Sequence, residues 1–180
     1  VLLFGRDEQP TVPKTAPPPD HAERGNAAQP PVDESDPVRR EKVKSMEETA
    51  KLLSFAAPEF GYVPAGFTFN EASLMFPDLS ESSKANMVNY KFTNEEDKLI
   101  HVRFQKLIGE TGLGIAQPRE GITVENIDTI HGPAILRVVH KDTGNTGALE
   151  AVRMQMYIMI SGAISPEDVV AMYESITVGS

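Results

Sequence analysis

Apolar positions along the chain fall into two regimes. Between Arg6 and Val38 almost none is large, and the segment is rich in Pro, Asp, Glu, Ala, Gln and Thr, with Pro17-Pro18-Pro19 and Pro30-Pro31 among them. Such a segment buries too little apolar surface to offset the roughly 1–2 kcal/mol per residue that ordering costs, so it predicts a solvated spacer. From Val38 onward apolar residues recur with definite periods. Val43, Met46, Ala50 and Leu53 stand three or four apart, which predicts an amphipathic helix from Arg39 to Phe55, ended by Pro58.

After the turn residues Gly61 and Pro64-Ala65-Gly66, a period of two takes over. It predicts strands at Phe67–Phe76, Met87–Phe92, Leu99–Leu107, Ile122–Ile130 and Ala134–His140. Leu149–Ser161 reads as one strand or two, with Val152, Met154, Met156, Ile158 and Ile160 on one face. The polar run Thr93–Lys98 joins the second and third strands as a hairpin, with Val88, Tyr90 and Phe92 facing the same way as Ile100, Val102 and Phe104. Ser165-Pro166-Glu167-Asp168 opens a last helix: a hydroxyl cap, proline in the first helical position and acids at the positive end of the dipole. Val169, Met172, Tyr173 and Ile176 form its apolar stripe. The expected fold is α+β, an antiparallel meander of about six strands with an N-terminal and a C-terminal helix packed on it. The domain is expected to span 39–180, with 1–38 a membrane-proximal stub and disordered Pro-rich linker.

Composition narrows the chemistry. Lys and Arg number 17 against 26 Asp and Glu, a formal charge of −9, and Cys is absent. Disulfides, zinc ribbons, iron–sulfur sites and thiol nucleophiles are therefore excluded, and duplex nucleic acid is a poor partner for so acidic a chain. Gly109-Glu-Thr-Gly112-Leu-Gly114 lacks the Lys-Ser/Thr ending of a phosphate loop and reads as a surface loop. His21, His101, His131 and His140 do not have metal-ligand spacing, although His101 and His140 would meet if their strands were neighbours. No Gly-x-Ser-x-Gly elbow is present. The expectation is a non-enzyme with no catalytic residue, metal site or cofactor.

Two features suggest what the domain does instead. Val1-Leu2-Leu3-Phe4 followed by Gly5-Arg6 and a hydrophilic spacer has the form of the trailing end of a membrane helix, so the domain is expected to be anchored through an upstream helix. Lys91, His101, Arg103, Gln105, Arg137, Arg153, Gln155 and Tyr157 fall on polar strand faces. If the strands are neighbours, Lys91, Arg103, Arg137, Arg153 and Tyr157 make a cationic face able to hold an anionic or peptide ligand.

Gly61-Tyr62-Val63-Pro64-Ala65-Gly66-Phe67 resembles the opening of bacterial extracytoplasmic domains in the domain-of-unknown-function family 4367. The hairpin Val88–Phe92 with Leu99–Phe104, Ile130-His131-Gly132, Tyr157–Gly162, Ser165-Pro166-Glu167-Asp168 and Glu174-Ser175-Ile176 are similar to its later motifs, over about residues 49–177. The chain departs from it before Tyr157, where the family often has Trp and this chain has none. The opening and the last helix also look like the carboxyl-terminal domain of periplasmic regulators that bind anti-sigma factors. The resemblance implies a sensory or interaction domain outside the cytoplasmic membrane, in anti-sigma-factor or envelope-stress signalling, with a protein or envelope ligand as partner. The competing expectation is a lipid or lipoprotein carrier, its apolar cavity lined by the face of Val152–Ile160.

Overall fold

The computed structural model describes residues 38–109 and 119–179. The expected stub and linker, and most of the loop after Gly109, lie outside the described residues. Arg39–Phe55 is not one helix. It divides into strand β1 (Arg39–Val43) and helix α1 (Met46–Leu52), followed by the short strand β2 (Pro58–Phe60). The break is Ser45, whose extended backbone and side chain, accepting from the Glu48 N–H at 3.3 Å, cap a new helix. Ser45-x-x-Glu48 is the capping-box spacing. Val43 belongs to a strand facing the core, and its distance from Met46 only imitates a helical period. Arg39, also on the core side of β1, lays its guanidinium over the Phe76 ring at 3.8 Å, a cation–π contact that closes the sheet edge.

The remaining elements are β3 (Thr68–Phe76), β4 (Met87–Thr93), β5 (Leu99–Lys106), β6 (Ile122–Thr129), β7 (Gly132–Val139), β8 (Thr146–Arg153), β9 (Met156–Gly162), α2 (Pro166–Glu174) and β10 (Ile176–Val178). The main sheet has eight strands in the order β1-β3-β4-β5-β9-β8-β7-β6, and β2 pairs with β10 in a separate ribbon. The fold is thus mostly antiparallel sheet with two helices. It is not a simple meander, because the chain leaves β5 in mid-sheet and re-enters at the far edge as β6.

One face of the sheet is the core. Leu74, Phe76, Val88, Phe92, Ile100, Phe104, Leu149, Ile158 and Ile160 are all at most 2% exposed. Val169, Met172 and Tyr173 of α2 complete it. Ser165 caps α2 as its sequence predicts, accepting from the Asp168 N–H at 3.1 Å. The helix comes down over β8 at Gly147, where a Cβ would stand 2.8 Å from Pro166 Cα, so glycine sets the approach.

The expected apolar face from Val152 to Ile160 is broken by a turn. Met154 and Gln155 take left-handed φ values of 51° and 59°, and Arg153 pairs with Met156 across it. A two-residue hairpin puts odd positions of β8 on the same face as even positions of β9. Leu149 and Ala151 therefore point to the core, while Val152 is 36% and Met154 60% exposed.

Candidate functional site

Both helices and the β2–β10 ribbon pack on the core side, and among the described residues no element covers the opposite face. Its rows follow from register. Asn89, Arg103, Met159, Glu150 and Ile135 stand in line across β4-β5-β9-β8-β7. Lys91, His101, Ser161, Ala148 and Arg137 form the next line. Tyr157 lies between Gln105 and Val152 in the third. Lys91, Arg103, Arg137 and Tyr157 thus share one face, as the alternation predicts. Arg153 does not. Directly opposite Met156 it belongs to the core side, where its Nη1 donates to the Ile176 carbonyl at 3.4 Å. Gln155 sits in the turn. Both departures follow from the turn at Met154-Gln155.

The shared face is a network with one gap. Arg137 Nε donates to Glu150 Oε1 at 2.9 Å, and the Tyr157 hydroxyl donates to Glu150 Oε2 at 3.1 Å. Burial, then the charge and hydrogen bond of Glu150, push the Tyr157 phenol up to about 12, against the opposing pull of Arg103 and Arg137. Glu71 takes Lys42 at 3.2 Å and Lys91 at 3.9 Å. The hydrogen bond from Lys42 leads in holding its carboxyl below the usual range. Asn89 Nδ2 meets His101 Nδ1 at 3.2 Å. Burial, then the charges of Lys91 and Arg103, depress the His101 imidazole.

Arg103 has neither an ion pair nor a hydrogen bond among the described residues. Its Nε is buried without a partner, as is Oδ1 of Asn89 on the neighbouring strand. Both residues line a groove of about 540 Å³ with Arg40, Glu41 and Lys42 of β1, Ser73, Leu74 and Met75 of β3 and Met87 of β4, Glu41 being paired with Arg39 at 3.0 Å. Asn89 was legible as a polar-face residue. Arg40 and Lys42 were not, because their segment carries a helix-like spacing.

Elsewhere the structure gives His131 and His140 local duties, and His21 lies outside the described residues. His140 bonds Thr123 Oγ1 at 2.6 Å, and His131, in the β6–β7 turn, meets the Glu174 carbonyl at 3.0 Å. His101 and His140 do not meet, since β9 and β8 separate β5 from β7. Among the described residues no cluster of His, Asp and Glu is placed to hold a metal ion, and no helix is long and apolar enough to cross a membrane. Ile158 and Ile160, expected to line a carrier cavity, are 0% exposed in the packed core. An apolar recess lies instead between α1 and β2.

A family model described as "Domain of unknown function (DUF4367)" matches residues 57–176. The match runs from just before β2 to the first residue of β10, taking in β3–β9 and α2 and leaving out β1 and α1. No curated protein matches the chain.

Proposed function

The chain belongs to the family described as a domain of unknown function (DUF4367), and from that premise we propose that it is a non-catalytic interaction domain whose open sheet face receives an acidic segment of a partner protein. Arg103 carries the reading. A half-buried guanidinium whose Nε is enclosed without a partner costs stability, and a carboxylate drawing the side chain outward to take forked N–H bonds from it would recover that cost. Asn89 Oδ1, also enclosed and unpartnered beneath it, becomes an acceptor for a backbone N–H of the same segment once Arg103 swings outward. Met75 and Met87 supply an adaptable apolar floor. Glu41 and Lys42 in the same lining are paired with Arg39 and Glu71, and Arg40, with no ion pair among the described residues, adds a second cation beside Arg103; in a protein whose net charge is −9 this favours acidic partners at this place and disfavours nucleic acid.

In this reading the domain works outside the cytoplasmic membrane on a tether, in signalling of the anti-sigma-factor or envelope-stress kind. Its support is the apolar run Val1–Phe4 ahead of a proline-rich segment. Binding changes the availability of the domain, without bond chemistry or a cofactor.

Anisotropy of a labelled peptide of alternating Glu and Leu, titrated with the 180-residue chain, tests the face. Arg103→Ala weakens binding about tenfold, Arg153→Ala leaves it unchanged, and the Gln version of the peptide does not bind. Equal losses from both variants, or no binding by the native chain, contradict the reading. Location is tested separately. The chain has no Cys, so Ser54→Cys at an exposed position gives one label site. A membrane-impermeant maleimide labels it in intact cells if the domain lies outside, and only after lysis if it does not.

A further inference from the structure

The recess between α1 and β2 lies on the covered side of the sheet and has a volume of about 480 Å³, within the range of small-molecule sites. Tyr90 and Phe92 of β4 form its floor, and Met46, Ala50, Phe60 and Val63 its apolar walls. Tyr90 is fixed. Its ring stands edge-on to Phe60 at 5.3 Å and to Phe104 at 6.0 Å, and the residue is only 1% exposed. Tyr62 and Tyr157 give their hydroxyls to Asp168 and Glu150. Tyr90 has no such partner among the described residues, and burial alone pushes its phenol upward. Phenylalanine would fill the same place without the hydroxyl, which no side chain or carbonyl among the described residues engages.

The rim carries acids. Glu47 and Glu59 line the opening. Glu47 is shared with Lys51 at 2.9 Å, and Glu59 has no cationic partner among the described residues. A carboxylate entering here loses its hydration and meets like charge.

We propose that this recess binds a small uncharged amphiphile, an apolar chain or ring bearing one hydroxyl, ester or amide oxygen that accepts from Tyr90, and that it discriminates against fatty acids. The site is independent of the open face. It also places a carrier-like activity at α1 and β2, away from the Val152–Ile160 strand.

The test uses the full chain at neutral pH and low salt, with N-phenyl-1-naphthylamine as fluorescent probe and decanol and decanoate as competitors of equal chain length. The expected result is enhanced fluorescence, displaced by decanol at about one-tenth the concentration that decanoate requires. Ala50→Trp, at an exposed helix position on the wall, abolishes the enhancement while melting temperature and acidic-peptide binding stay unchanged. Tyr90→Phe weakens decanol about fivefold without lowering the melting temperature of the free protein. The proposal is overturned by any of four results: no enhancement with the native chain, full enhancement in Ala50→Trp, decanoate competing as well as decanol, or decanol affinity unaltered in Tyr90→Phe. Displacement by an amphipathic helical peptide but not by decanol would also overturn it.

Discussion

Arg103→Met separates a residue kept for binding from one kept for folding. Among the described residues, arginine at this position holds a buried donor with no acceptor and a charge with no ion pair. Its field also depresses His101 and acts on Tyr157. An unsatisfied buried donor costs about 1–3 kcal/mol, and methionine retains most of the apolar stem while removing both donor and charge. Discounting for the partial solvation of the guanidinium, the exchange stabilises the domain by about 1–2 kcal/mol, or about 3–5 °C in melting temperature for a domain of this size. Differential scanning calorimetry of the two proteins measures the shift, and the His101 ring signal in a pH series should move back toward its ordinary value. Acidic-peptide binding is lost in the same variant. If Arg103→Met instead melts several degrees lower, Arg103 supports the sheet, and the reasoning that gives it to a ligand is refuted.

Three other variants probe the physics of the frame. Met154→Asn with Gln155→Gly puts the residues favoured by a two-residue hairpin where φ is 51° and 59°; the pair should raise the urea-unfolding free energy by about 1–2 kcal/mol, and no gain would mean the turn is not left-handed. Gly162→Ala brings a Cβ to 2.3 Å from the Leu99 carbonyl oxygen and 2.9 Å from Ile100 Cα, so the β5–β9 seam must part; a loss of about 3 kcal/mol is expected, and a neutral result would show slack in that pairing. His101 has a depressed pKa when folded, so the unfolded chain takes up its proton first as pH falls below about 6.5. The His101 contribution is present above that pH and is lost on acidification through the folded pKa. His101→Gln should remove this component from stability measured between pH 7 and 5, and an unchanged slope would mean His101 is not desolvated.

Much of the sheet was legible because burial of one face imposes strict alternation. Val88, Tyr90 and Phe92 against Ile100, Val102 and Phe104 fixed a hairpin and its facing, and with them the placement of Lys91 and Arg103. Ser165-Pro166 announced α2 through cap chemistry, which is local. Two features resisted reading for opposite reasons. At Met154-Gln155 the backbone is left-handed without the Gly, Asn or Asp that normally mark such a turn, so the apolar alternation ran through it and Arg153 was assigned to the wrong face. At Val43–Met46 the local signal existed in Ser45-x-x-Glu48, but a coincidental three-residue spacing obscured it. The order of strands, which brings β9 beside β5 and sends β6 to the far edge, depends on contacts distant in sequence. The groove between β1 and β5 inherits that difficulty, since Arg40 and Lys42 come from a strand read as a helix.

The central claim concerns one guanidinium, and its own N–H can report on it. In a proton–nitrogen spectrum tuned to arginine side chains, addition of the Glu–Leu peptide should shift and sharpen the Arg103 Nε–H signal as it acquires an acceptor, with amide changes gathered at Arg40, Lys42, Ser73 and Asn89. An unmoved Arg103 signal at saturating peptide, or changes gathered on α2, would contradict the account.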